Sequence, residues 1–229
     1  MSSRTPKAAI FDIGATLVTG PPVAPNKVIA GLMEGATAGE IASVIMTREL
    51  TCADGVCTAI ESRFGAIGES ARADIAQLWD SQSTAAIEIE GATQAVLALK
   101  RLGLRIGLLS DIWNPYYASV EKALPDVIRA ADAIVLSCRT GARKPNPDNF
   151  LRAMQELGVE AGETVMVGDT YSHDILPALE LGMRAVWVLA RPDREAESII
   201  RVLNHECPAP TATVSSITEV AALELWKGL

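Results

Sequence analysis

Apolar positions along the chain recur in one repeated grammar. The segments LALKRLGLRIGLLSD, AMQELGVEAGETVMVGD and ALELGMRAVWVLA each carry a helical pattern that stops at Leu-Gly and then enters an apolar run the length of a buried strand. Gly103, Gly158 and Gly182 are the helix stops. With AAIF near the start and AIVLS in the middle, these runs predict an α/β fold whose parallel sheet is covered on both faces.

Residues 19–88 break that rhythm. They pattern as helices around 26–34, 37–52, 56–64 and 69–81, with glycine-containing breaks and no clear strand. The stretch is too long for a simple crossover connection. It reads as a helical cap, residues 19–88, inserted into a core of residues 1–18 and 89–229, and placed to close over a substrate and exclude water. A purely structural helical layer is the alternative.

In a parallel sheet, ligands bind beyond the carboxyl ends of the strands, where loops and helix N-termini converge. The residues to inspect there are Asp12 after AAIF, Ser110 and Asp111 after IGLL, and Gly168 and Asp169 after TVMV.

Composition narrows the partner more than the fold. The chain is 49% apolar and 21% charged, an ordinary globular balance. Its formal net charge of −8 argues against a general nucleic-acid surface and points to a small-molecule partner. No apolar signal core precedes the first strand, and no uninterrupted apolar stretch approaches the ~18 residues of a membrane span. A cytoplasmic protein with no membrane partner is expected. The cysteines, Cys52, Cys57, Cys138 and Cys207, lack paired C-x-x-C spacing and there are only two histidines, so no zinc site is expected and the thiols read as reduced. Apolar cap faces could close on the core or on a second subunit, which leaves a homodimer open.

The motifs FDIGATLV, GLLSD, GARKPNPDNF and VGDTYSHD, in this order, resemble those of the haloacid dehalogenase superfamily, most of whose members are phosphatases. The resemblance covers roughly residues 7–20 and 88–229. It implies a doubly wound, Rossmann-like core, an aspartate nucleophile, a magnesium ion and an inserted cap.

On that reading Asp12 attacks phosphorus and forms an aspartyl-phosphate, dividing one difficult displacement into two easier ones. Ser110 hydrogen-bonds a phosphoryl oxygen, Lys144 neutralises charge on the transferring group, and Asp111 joins them in substrate binding. Clustered carboxylates facing a phosphate dianion would repel strongly, so a hard cation is required. Asp12, Asp169, Asp174 and the backbone carbonyl of Gly14 are its expected ligands. Pro145 and Pro147 stiffen the Lys144 loop and let a helix begin near Asp148. His173 reads as a half-exposed residue at a helix start. Trp113, Asn114 and Tyr116 follow the second motif and either line the pocket or are explained by aromatic packing alone. Specificity would come from cap side chains such as Arg48, Glu49, Arg63 and Trp79, whose orientation the sequence leaves open.

One position departs from the pattern. Phosphatases of this superfamily usually carry a second aspartate two residues after the nucleophile, which protonates the leaving oxygen and later activates water. Here that position is Gly14. Loss of a general acid costs about 10²–10⁴ in rate, and less where the leaving group needs no proton. The leading expectation is a magnesium-dependent phosphatase for a small phosphorylated metabolite. The alternatives are a carbon–phosphorus hydrolase using Lys27, the only lysine between 19 and 88, as an imine-forming residue; a metal-free 2-haloacid dehalogenase; and a phosphometabolite-binding protein without turnover.

Overall fold

The computed structural model describes residues 5–227. Its main sheet is six-stranded and parallel. It holds β1 (Ala8–Phe11), β4 (Arg105–Ser110), β5 (Ala133–Leu136), β6 (Thr164–Gly168), β7 (Arg184–Val188) and β8 (Ala212–Val214), in the order β5-β4-β1-β6-β7-β8. The chain starts in the middle, winds outwards through β4 and β5 on one side, then returns to the other flank of β1 for β6, β7 and β8. The reversal places the topological switch point at the end of β1, where an open sheet of this kind forms its ligand crevice.

β1 is buried on both faces, as its unbroken apolar run requires. Ala9 and Phe11 join one core cluster with Ile106, Leu108, Val165 and Val167, whereas Ala8 and Ile10 join the other with Phe150, Met154 and Met166. The first face is covered by α5 (Ala92–Arg101), α6 (Asn114–Ala123) and α7 (Pro125–Ala130). The second is covered by α9 (Pro147–Leu157) and α10 (Leu176–Glu180), with the short α8 (Ser137–Thr140) between β5 and the Lys144 loop. Gly103, Gly158 and Gly182, the stops read from the sequence, all take positive φ, at 87°, 61° and 81°.

The insertion folds into α1 (Pro25–Gly31), α2 (Ala38–Ile45), α3 (Ala53–Phe64) and α4 (Glu69–Gln82) around its own apolar cluster of Ile29, Ile41, Ile45, Val56, Ile60 and Ile75. Pro25 opens α1, where a missing N–H costs nothing. Thr37 and Glu40 close a reciprocal capping box on α2. One core residue, Trp113, is buried in the cap cluster. It meets Trp79 edge to face at 5.6 Å, and its indole N–H donates to Gln82 Oε1 at 3.4 Å.

Three features differ from the sequence expectation. α2 ends at Ile45 instead of near 52. The stretch expected to hold no clear strand is bordered by a two-residue antiparallel ribbon, β2 (Val18–Thr19) with β3 (Ile87–Glu88), formed where the chain leaves and re-enters the core. The sixth strand of the main sheet, β8, was not anticipated, because ATV is short, Thr-containing and fully buried only at Val214. It follows α11 (Ala196–Leu203). No helix among the described residues is long and apolar enough to cross a membrane.

Candidate active site

Strand ends supply the site. Asp12 follows β1 directly, Ser110 is the last residue of β4, and Asp169 follows β6 directly. Since these strands are neighbours in register, their carboxyl ends deliver the side chains to one crevice. A pocket of 290 Å³ is lined there by Asp12, Gly14, Ser110, Asp111, Lys144, Asp169, Thr170, His173, Asp174 and Arg191, which gathers every residue that the phosphatase expectation nominated for chemistry, while Lys27 lies outside it.

Lys144 is the pivot. Its ammonium, 5% exposed at residue level, lies 2.6 Å from Asp12 Oδ1 and 2.6 Å from Asp174 Oδ1, and 3.3 Å from the Leu109 carbonyl. Burial disfavours the ammonium, but the charges of Asp12, Asp174 and Asp111 outweigh it and hold its pKa above the ordinary value. Asp111 positions the loop: its Oδ1 accepts the Lys144 backbone N–H at 2.9 Å, and its Oδ2 pairs with Arg143 Nε across 3.3 Å. Asn146 then caps α9 by accepting from Asp148 N–H at 2.8 Å, and Pro147 opens the helix one residue before the expected start.

Asp12 Oδ2 accepts from Thr16 Oγ1 at 3.2 Å. Burial pushes Asp12 up to about 6; Lys144 pulls it down and Asp174 adds to the rise. Asp169 is raised by burial and by the Asp12 charge, against the opposing guanidinium of Arg191, which contacts its Oδ2. Asp174 is also raised by burial, with Lys144 opposing, and its Oδ2 accepts from Thr170 N–H at 3.0 Å. It sits on a π-helical turn, Tyr171–Ile175, a distortion frequent at functional sites. The turn presses so close to the strand end that a Cβ on Gly168 would lie 2.5 Å from the Asp174 side chain, so only glycine fits there.

Carboxylate oxygens of Asp12, Asp169 and Asp174 all lie within 4.8 Å of one another. Three buried carboxylates held this close, each disfavoured as an anion by its burial, form an all-oxygen donor set of the kind a hard divalent cation takes.

A second, larger cavity of 660 Å³ lies between cap and core. Lys27, Met46 and Gln82 line it from the cap, and Gly14, Ile112, Trp113, Tyr116, Arg191 and Arg194 from the core. Trp113 and Tyr116 are where the sequence placed them, but Asn114 lies elsewhere, at a separate groove beside Tyr117. The cap residues expected to set specificity line neither cavity. Glu49 faces Arg139 at 3.9 Å, Arg63 stacks on Phe64, Trp79 packs against Trp113, and Arg48 is absent from both walls. His173 is half-buried on the wall of the smaller pocket, its pKa lowered by burial and its Nδ1 2.9 Å from Ser172 Oγ. Thr16, Arg191 and Arg194 escaped the sequence reading. The arginines follow the apolar run of β7 in LARPDR, another strand end that the search for polar residues could have covered.

Comparison with known proteins agrees with this geometry. A model of the haloacid dehalogenase-like hydrolase family matches residues 6–182. The chain belongs to that family. Within it, the chain is 32% identical over 100 residues to a glyceraldehyde 3-phosphate phosphatase of Pyrococcus abyssi, covering 44% of this chain and 42% of that protein. It is 30% identical over 165 residues to the N-acylneuraminate-9-phosphatase of Rattus norvegicus, covering 71% of this chain and 62% of the relative. Alignment to the first-matched curated relatives thus spans less than half of their length. Among solved structures, a 2-haloacid dehalogenase from Pseudomonas syringae pv. Tomato DC3000 superposes with a TM-score of 0.63 at 18% identity, covering 95% of this chain and 97% of that one. That likeness is one of fold.

Proposed function

We propose that this haloacid dehalogenase-like hydrolase is a magnesium-dependent phosphatase of small phosphorylated metabolites, acting through an aspartyl-phosphate on Asp12. The observation that carries the proposal is the convergence of Asp12, Asp169 and Asp174 within 4.8 Å at the switch point of the sheet, with Lys144 bridging two of them.

Each residue has a definable task. Asp12 Oδ2, held by Thr16, is the attacking atom; Oδ1, held by Lys144, stays fixed, so the carboxylate is oriented before substrate arrives. Ser110 and Lys144 receive the phosphoryl oxygens, Lys144 as a point charge that a buried setting strengthens. Asp12, Asp169 and Asp174, with the Gly14 carbonyl, would hold magnesium, whose role is to neutralise phosphoryl charge. Asp111 keeps the Lys144 loop in register.

The triad also favours this reading over a dehalogenase, and the setting of Lys27 favours it over an imine-forming hydrolase. A dehalogenase attacking carbon has no dianion to neutralise and no use for three converging carboxylates. Lys27 is exposed, outside the desolvated setting in which lysines serve as imine-forming nucleophiles.

An assay with an aryl phosphate, whose phenolic leaving group barely needs a proton, tests the proposal. Turnover is expected with magnesium, and a drop to background is expected with chelator or in Asp12→Asn. Magnesium-dependent turnover that persists in Asp12→Asn would remove Asp12 from the role of nucleophile. Complete inactivity of the wild type would favour a binding protein.

A further inference from the structure

The two cavities share Gly14, Asp111 and Arg191 on their walls. A Cβ built at Gly14 meets nothing within 4 Å, so the missing side chain leaves the way open between them. A substrate whose phosphoryl group sits at Asp12 reaches the larger cavity across Gly14, where the rest of the molecule, its leaving group, must lie.

That cavity presents cationic side chains to an anion, and no carboxylic acid on its wall is free to donate a proton. Its cationic side chains are Lys27, Arg191 and Arg194. Among the described residues, no carboxylate lies within ion-pair distance of Lys27 or Arg194. Arg191 spends one Nη2 on Asp169, and its buried Nε has no acceptor. The single carboxylate on the wall, Asp111, is committed to the Lys144 backbone and to Arg143. Tyr116 already donates its hydroxyl to the Thr19 carbonyl at 3.0 Å. Lys27 and Arg194 are exposed at the rim, and with Arg191 they give the cavity a local excess of positive charge in a chain of net charge −8, a field that draws anions to its mouth.

On the phosphatase reading above, we infer that the substrate is a phosphoanhydride, whose leaving group departs across Gly14 as an anionic phosphate and is received by Lys27, Arg191 and Arg194. An alkyl phosphate must expel an alkoxide, which needs a proton that no side chain at position 14 can give. A phosphoanhydride expels a phosphate, a weak base that leaves unprotonated. The Asp12 oxygen forms a bond to phosphorus while the bridging P–O bond breaks, its electron pair remaining on the departing phosphate. Water then attacks the aspartyl phosphorus, the Asp12–phosphorus bond breaks with its pair returning to Asp12, and the water proton passes to solvent. One anhydride and one water give two phosphates and one proton.

The test compares kcat/KM with magnesium for inorganic pyrophosphate, a nucleoside diphosphate, glycerol phosphate and an aryl phosphate whose phenol is about as acidic as phosphate. At least one of the two anhydrides should exceed glycerol phosphate by more than about a hundredfold, the scale of a missing general acid. In Lys27→Gln and Arg194→Gln, the ratio of that anhydride to aryl phosphate should fall by about tenfold, the loss of one charge-assisted contact. Gly14→Asp should raise turnover of glycerol phosphate selectively. Glycerol phosphate turned over as well as either anhydride, or an anhydride-to-aryl ratio unmoved in both variants, would overturn the inference while Asp12-dependent aryl phosphate turnover upheld the phosphatase reading. If nothing is turned over, that reading falls, and calorimetry with methylenediphosphonate against methylphosphonate still decides the cavity's preference. Tighter diphosphonate binding that Lys27→Gln and Arg194→Gln abolish supports it; equal affinities overturn it.

Discussion

Lys144 and Asp12 illustrate how a buried pair can be set for chemistry at a cost to stability. Removing a carboxylate from water is expensive, and one lysine shared between two carboxylates compensates only in part, which is why burial leaves Asp12 at about 6 despite a 2.6 Å contact. The sign of the pH effect follows. Folding raises this pKa from 3.8, so between about pH 4 and 6 the native state binds more protons than the unfolded chain, and the Asp12 contribution to stability falls as pH rises. Chelated wild-type protein should therefore lose stability relative to Asp12→Asn between pH 4.5 and 7.5, by roughly 2 kcal/mol for a shift of about two units. Urea unfolding of both proteins across that range reads the difference directly, and a gap that does not change with pH would mean that Asp12 is not raised. On the proposed mechanism, activity should also fall on the acid side as Asp12 takes up a proton.

At the scale of elements, the cap is anchored to the core by a core residue. Trp113 follows β4 yet is buried in the cluster made by α1 to α4, with its N–H on Gln82 at the end of α4. Trp113→Ala would leave a large void in the joint, and truncations of this size cost about 3–5 kcal/mol. Limited proteolysis should then cut first within residues 19–88, before the sheet unfolds; cleavage no faster than in wild type would show that the cap is held without Trp113. Trp113 also marks the limit of what could be read from the sequence. The alternation of helix and apolar run exposed β1, β4, β5, β6 and β7, because fully buried strands are apolar at every position. β8 and the ribbon were invisible because two or three residues carry no period. The polar residues of the site were legible as strand-end residues and Trp113 as pocket lining, but its place in the cap cluster was not, since one-dimensional pattern does not reveal which cluster a side chain joins. The orientation of Arg48, Glu49, Arg63 and Trp79 stayed open for the same reason: a cap helix has a core-facing side that its sequence does not disclose.

The whole molecule couples these levels, because the triad is drawn from separate parts of the chain. Asp12 comes from β1, while Asp169 and Asp174 come from the end of β6 and the turn beyond it. Their oxygens share 4.8 Å only when the sheet has closed in register. A cation that needs all three binds the native state and not the unfolded chain, so it must stabilise the entire fold by mass action. At a hundred times its dissociation constant the gain is about 2.7 kcal/mol, which for a chain of this size corresponds to a rise in Tm of roughly 5–10 °C. Burial raises all three carboxylates, so at pH 5 protons compete for the ligands and the rise should be smaller than at pH 7. Thermal unfolding with magnesium or chelator at the two pH values, in wild type and in Asp169→Asn, measures this coupling independently of any substrate. No magnesium effect at pH 7, or an effect that survives in Asp169→Asn, would remove the triad from metal binding. A rise confined to the intact triad and weakened by acid would tie the ion, the register of β1 with β6 and the stability of the chain to one site.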